Sequence, residues 1–267
     1  MTKLKIFFLI IFFFPLNSAL TFESKDALLL KESISNENRK KENKKRDIYR
    51  NPFETLKFFG ISRKKKILEV SPGGGWYSEI LSSFMKGTGN FYVTENKYPP
   101  VKIIEVNQKK FREYFRENID SFGEINTVYF DKNNILESKA NQFDIVLTFR
   151  NSHNWLEFKT AENIYKSLFK TLKKGGVLGV VQHKANEDSK KDFHNGYVKE
   201  SFLIDFIEKQ GFIFIKSSKI NANKKDKKNY PKGVWTLPPR LVMGNLNKEE
   251  YIKIGESDRM TLKFIKP

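Results

Sequence analysis

The nine residues EVSPGGGWY at positions 69–77 decide how this chain is read. A basic run, Arg63 to Lys66, and a short apolar climb through Ile67 and Leu68 stand ahead of them. Behind them Trp76, Ile80, Leu81 and Phe84 recur at helical spacing. That order predicts a buried strand, a tight glycine-rich turn and a helix. The next apolar run closes on Glu95, about 26 residues beyond Glu69, near the distance of a ribose-binding acid. Glycines let a backbone approach a ligand, and a helix N-terminus offers free N–H groups. These are the parts of a nucleotide-type cofactor site.

Further along, strand-like runs alternate with helical patterns. The strand candidates are 67–70, 91–94, 127–130, 145–149, 177–182 and 212–215. Helical spacing shows in Ile164, Leu168 and Leu172, and again in Phe202, Phe206 and Ile207. This rhythm predicts βαβ units and a mostly parallel sheet covered on both faces. Asn51 reads as an N-cap, Pro52 as the first helical residue and Gly60 as the stop. Gly175-Gly176 reads as a helix stop feeding the fifth strand. The alternation of Met260, Leu262 and Phe264 reads as a last strand.

Composition adds a different kind of information. Lys3 and Lys5 precede an apolar run from Ile6 to Phe14, and Pro15, Asn17, Ser18 and Ala19 follow. An apolar core of roughly eleven residues suits a signal peptide better than a bilayer span. Residues 1–19 are therefore expected to be a signal peptide cleaved near Ser18–Ala19, giving a periplasmic or secreted protein. An uncleaved membrane anchor is the alternative. Residues 20–45 read as a short helix and a charged, solvated linker, and 46–267 as the main domain. The chain has no cysteine, which excludes disulfides and thiolate metal sites. The formal net charge is +18. Its runs of lysine lack the interleaved aromatics of a nucleic-acid face, so no specific nucleic acid is expected. Peripheral association with an anionic membrane surface is a secondary expectation.

A dinucleotide fold wants Gly-x-Gly-x-x-Gly, whereas Gly73, Gly74 and Gly75 are consecutive and bulky Trp76 follows. The pattern Glu69, Ser71, Gly73, Gly75 instead resembles motif I of the class I S-adenosylmethionine-dependent methyltransferases, with Ser71 in place of the usual first glycine. FDIVLTFRNSHNWL at 143–156 and LKKGGVLGVV at 172–181 resemble that family's fourth and fifth strands. With DIYRNPFETLKFFG, GVWTLPP and GESDRMTLKF, the chain from about Arg46 onward looks like a group of bacterial predicted methyltransferases that carry signal peptides. The resemblance implies a Rossmann-like α/β fold: a seven-stranded sheet, parallel except for an antiparallel last strand, with helices on both faces. It also implies S-adenosyl-L-methionine as cofactor and a small-molecule acceptor. The implied cofactor-binding residues are Glu69, Ser71, Pro72, Gly73, Gly74, Gly75, Glu95, Asp131 and Asn151.

All three histidines, His153, His183 and His194, fall at or after strand ends, where open α/β sheets hold their ligands. His153 is the favoured base, since a neutral imidazole can take a proton from an attacking nucleophile. Arg150 and Asn154 are its expected companions, able to orient a carbonyl or carboxylate. The histidine spacing is not that of a metal site. Fold alone leaves a second reading open, an exported, non-catalytic ligand-binding protein on the same scaffold.

Overall fold

The computed structural model describes residues 24–267, so the signal-peptide reading of residues 1–19 lies outside the described residues. Four helices come first: α1 (Ser24–Ser35), α2 (Lys41–Lys44), α3 (Asp47–Arg50) and α4 (Pro52–Phe59). The alternating region holds β1 (Ile67–Val70), α5 (Trp76–Met85), β2 (Phe91–Asn96), α6 (Lys102–Glu117), α7 (Ile119–Phe122), β3 (Asn126–Phe130) and β4 (Phe143–Phe149). It continues through α8 (Ser152–Glu157), α9 (Ala161–Thr171) and β5 (Leu172–His183). A short hairpin, β6 (Phe193–His194) and β7 (Tyr197–Val198), precedes α10 (Glu200–Glu208), β8 (Ile213–Ser218), α11 (Lys248–Ile254) and β9 (Arg259–Ile265).

Seven strands form one sheet in the order β3-β2-β1-β4-β5-β9-β8. The strands from β1 to β5 pair in parallel, and β9 runs antiparallel between β5 and β8. This is the expected mixed sheet with its reversed last strand. Period-2 alternation splits the strand residues between two cores. Leu68, Val70, Val146 and Leu178 face α9 and α10, packing with Tyr165, Leu168, Leu203 and Ile207. Ile67, Val93, Ile145 and Leu147 face the other way, packing with Leu30, Phe59, Ile80 and Phe111. Covered on both faces, the parallel strands read as apolar runs.

Three local expectations are corrected. Residues 36–45, although mostly exposed, are not a free linker. Arg39 is buried, bonded twice to Asp47 (2.8 and 2.9 Å) and to the Ile34 carbonyl (2.6 Å), with the Glu79 carboxylate 3.5 Å away. A charged segment reads as solvated unless its partners, far along the chain, are known. Asn51 does not cap α4 with its side chain, which donates instead to the Ile220 carbonyl at 2.7 Å. Gly175-Gly176 is not the helix stop. Helix α9 ends at Thr171, and Lys173–Gly176 bulge out between the pairs Phe143↔Leu172 and Ile145↔Val177.

Candidate active site

The glycine turn forms where β1 hands over to α5, at the carboxyl edge of the sheet. Two neighbours brace it. The Ser71 amide donates to Thr94 Oγ1 at 2.8 Å, which ties it to β2. Asn151 Nδ2 donates to the carbonyls of Val70 (3.1 Å) and Ser71 (3.2 Å), which ties it to the end of β4. Asn151 thus positions the turn. Gly73 (φ 60°) and Gly75 (φ 81°) are left-handed. Their surroundings differ sharply. A Cβ on Gly73 or Gly74 would meet nothing within 4 Å, whereas one on Gly75 would meet Phe115 at 3.0 Å and Phe111 at 3.2 Å. Gly73 and Gly74 therefore leave room for a ligand, and Gly75 lets α6 pack against the turn.

The two acids behave differently from each other. Glu69 is buried and accepts a bond from Ser78 Oγ at 2.6 Å. Burial pushes its carboxyl up to about 8, only partly offset by Ser78, so it is protonated at neutral pH. Glu95, next to the end of β2, has one oxygen bonded to Arg112 and the other, Oε1, buried without a hydrogen-bond partner. Burial raises its pKa against the opposing pull of Arg112. Asp131 has a local structural role. Its Oδ1 accepts the amides of Asn133 (2.8 Å) and Ile135 (2.9 Å) and so closes the turn after β3. Neither Glu95 nor Asp131 lines the cavity beside the glycine turn.

That cavity, about 340 Å³, lies beside the turn. Ser71, Pro72, Gly73 and Gly74 form one side. His153, His183, Trp235 and the Pro238-Pro239 pair form another, with Arg150, Asn151 and Asn154 between them. Two of the three histidines meet there, with ring centroids 5.4 Å apart, and Trp235 stands 5.9 Å from His153. His194 does not join them. It is exposed on β6 and lines a separate hollow with Lys190 and Lys191. The β6–β7 hairpin that carries it is too short to leave a periodic signal in the sequence.

His153 Nδ1 lies 3.2 Å from Gln182 Nε2 and 3.4 Å from Gln182 Oε1, and the same amide donates to the Gly196 carbonyl at 3.0 Å. His183 Nδ1 bonds Ser257 Oγ at 2.5 Å. Burial lowers the His153 pKa to about 4, with Gln182 resisting and Arg150 assisting. Burial, then the neighbouring His153 and arginines, hold His183 well below its usual range. Both rings are neutral at pH 7. Between about pH 6.5 and pH 4 the unfolded chain binds protons that the folded chain refuses, so stability rises with pH across that window. The His153 contribution is fully present above its unfolded pKa and is lost as the pH falls toward 4. It amounts to about 3 kcal/mol. Urea denaturation of wild type and His153→Gln from pH 7.5 to 4.5 checks this. The variant should show a flatter acid limb, and parallel limbs would mean that His153 is not held neutral.

A second charged group stands at the cavity, and of its members only Arg150 was expected from the sequence. Arg46 and Arg50 come from the segment around α3, Arg150 follows β4, and Glu256 and Arg259 flank the start of β9. Glu256 accepts from Arg46 Nε (2.6 Å), Arg50 Nε (3.0 Å) and Arg259 Nη1 (3.0 Å). Burial opposes ionisation of Glu256. Arg50, Arg259, Arg46 and Arg150 override it and hold the carboxyl well below the ordinary range. Arg50 also lies over the Trp76 ring, 4.7 Å from its centroid, and Trp76 Nε1 donates to the Asn43 carbonyl at 2.7 Å. Arg50 and Glu256 are about 200 residues apart in sequence, so only the fold brings them together.

No protein-family model matches the chain, and no curated protein matches it in sequence. Solved structures do match. The [4+2]-cyclase SpnF is 13% identical, with 91% of this chain and 93% of that one covered at a TM-score of 0.58. A SAM-dependent methyltransferase from Aquifex aeolicus is 17% identical, with 66% and 87% covered at 0.51. The glycopeptide N-methyltransferase MtfA, solved with S-adenosyl-L-homocysteine, is 13% identical, with 82% and 90% covered at 0.52. At these identities the likeness is one of fold: this is the Rossmann-like class I methyltransferase fold.

Proposed function

We propose that the chain is an S-adenosylmethionine-dependent methyltransferase acting on a small-molecule acceptor. One observation carries this: the open Gly73-Gly74 turn and the His153–His183 pair border the same cavity. The residues present fit the cofactor. The space above Gly73 and Gly74 admits close approach of a ligand, and the unpartnered Oε1 of Glu95 is a buried acceptor suited to a ribose hydroxyl. Gly73, Gly74 and Glu95 would hold it, with Arg112, half-exposed, releasing or sharing the carboxylate. When bound, S-adenosylmethionine supplies a methyl group already activated by its sulfonium.

The protein's own part is then positioning, exclusion of water and removal of one proton. Trp235 and the Pro238-Pro239 pair wall the cavity near His153. His153 takes the acceptor's proton on Nε2 when its Nδ1–H donates to Gln182 Oε1, whose amide is oriented by the Gly196 carbonyl. The low pKa keeps that imidazole in its accepting form throughout the neutral range. Calorimetry with S-adenosylhomocysteine tests the reading. Wild type should bind, and Glu95→Ala should bind about ten- to a hundredfold more weakly, the loss of a bond to a charged acceptor. Equal affinities would remove Glu95 from the site. A wild type that fails to bind would sink the methyltransferase reading.

A further inference from the structure

The cavity is lined by Arg46, Arg150 and Arg240, with Glu256 its only acidic lining residue among the described residues. Arg50 and Arg259 stand directly behind Glu256. Both oxygens of that carboxylate are already engaged, yet several guanidinium donors are left over. Arg46 Nη2, Arg50 Nη2 and Arg259 Nε are buried without a hydrogen-bond partner. The Arg150 guanidinium makes no hydrogen bond or ion pair to another described residue. Arginine stays cationic near neutrality and carries five donors in a fixed fork. A buried donor left unsatisfied is unfavourable, so such groups call for an explanation in a ligand or in solvent. Several such donors around one neutralised carboxylate leave a net positive floor in a site walled by Trp76 and Trp235. Carboxylate and phosphate match the fork geometry, and low-dielectric walls strengthen the attraction.

We propose that this arginine cluster receives an oxyanion of the methyl acceptor, which is therefore a small molecule bearing a carboxylate or phosphate group. The inference rests on the methyl-transfer reading above. The oxyanion sits on Arg150 and Arg46, and the methyl-accepting atom is presented to His153, which lines the same cavity. The competing occupant is the carboxylate of the cofactor's own methionine portion.

The test measures binding of inorganic phosphate and of benzoate by calorimetry. It compares wild type with Arg150→Gln, with and without saturating S-adenosylhomocysteine, against chloride at equal ionic strength. At least one probe should bind wild type, and the tighter of the two assigns phosphate or carboxylate. Arg150→Gln should weaken that binding by about tenfold or more. S-adenosylhomocysteine should leave it in place. The variant should unfold at the wild-type temperature or above it, since it removes an unpaired cation from beside three others. If it does not fold, competition with S-adenosylhomocysteine in wild type still decides. Binding of neither probe beyond chloride overturns the proposal, as does displacement by S-adenosylhomocysteine, which gives the cluster to the cofactor. Equal anion affinity in a folded Arg150→Gln overturns it too. Anion binding in a protein that does not bind S-adenosylhomocysteine is a different failure. The methyl-transfer reading then falls, and the acceptor assignment with it, while an anion receptor remains.

Discussion

Glu256→Gln should destabilise the protein by about 3–5 kcal/mol at pH 7, the loss expected when one partner of a buried ion cluster is removed. For a domain of this size that is a fall in unfolding temperature of roughly 6–20 °C. Glutamine keeps the shape and one acceptor but removes the only negative charge among Arg46, Arg50, Arg150 and Arg259. Those guanidiniums would then repel one another with three of their hydrogen bonds weakened. The pH dependence has a defined sign. The Glu256 carboxyl is held below its ordinary value of 4.5, so its contribution is complete above that pH and is lost as the pH falls further. The gap between wild type and variant should therefore narrow in acid. Thermal and urea denaturation of the two proteins at pH 7 and pH 3.5 measure it. A difference under 1 kcal/mol at pH 7 would show that the arginines are neutralised by something other than Glu256.

Gly74→Val should lose S-adenosylhomocysteine affinity by more than about a hundredfold, roughly 3 kcal/mol, with its unfolding temperature unchanged in the absence of ligand. Gly74 is outside the left-handed region and has nothing within 4 Å of a Cβ, so the apo protein tolerates the side chain. The added methyl groups fill the space a ligand needs above the turn. Calorimetry and a thermal melt on the same preparation are enough. Unaltered affinity would mean that the turn is not the cofactor cradle. Gly75, which the sequence makes equally attractive, is unsuitable for this test. It is left-handed, and a Cβ there would press on Phe115 and Phe111, so lost binding could not be separated from lost packing.

Much of the candidate site was legible because its signals are local. EVSPGGGWY specifies its own strand, turn and helix, and the turn's brace, Asn151, follows directly on β4. His153 and His183 could be placed because they follow strand ends, and parallel strands deliver their ends to one edge. His194 was misplaced by the same rule, because a two-residue strand turns it away. The turn that Asp131 closes was not legible, because an aspartate after a strand looks alike in sequence whether or not it binds its own turn. The His153 pKa was not legible either, since the ordinary value of 6.5 holds until burial is known.

By itself the sequence determined the alternation of strands and helices, the presence of a last strand and the glycine turn, because backbone preference and apolar periodicity act over a few residues; the reversal of that last strand was implied only by the resemblance. Tertiary structure alone decided which glycine faces open space and which faces phenylalanine, which histidines share a cavity, and that the 36–45 segment is tied to the domain. It also decided that four arginines surround one glutamate. Each of these depends on groups tens to hundreds of residues apart meeting across the sheet, and on burial changing the energy of a charge. A one-dimensional pattern encodes neither.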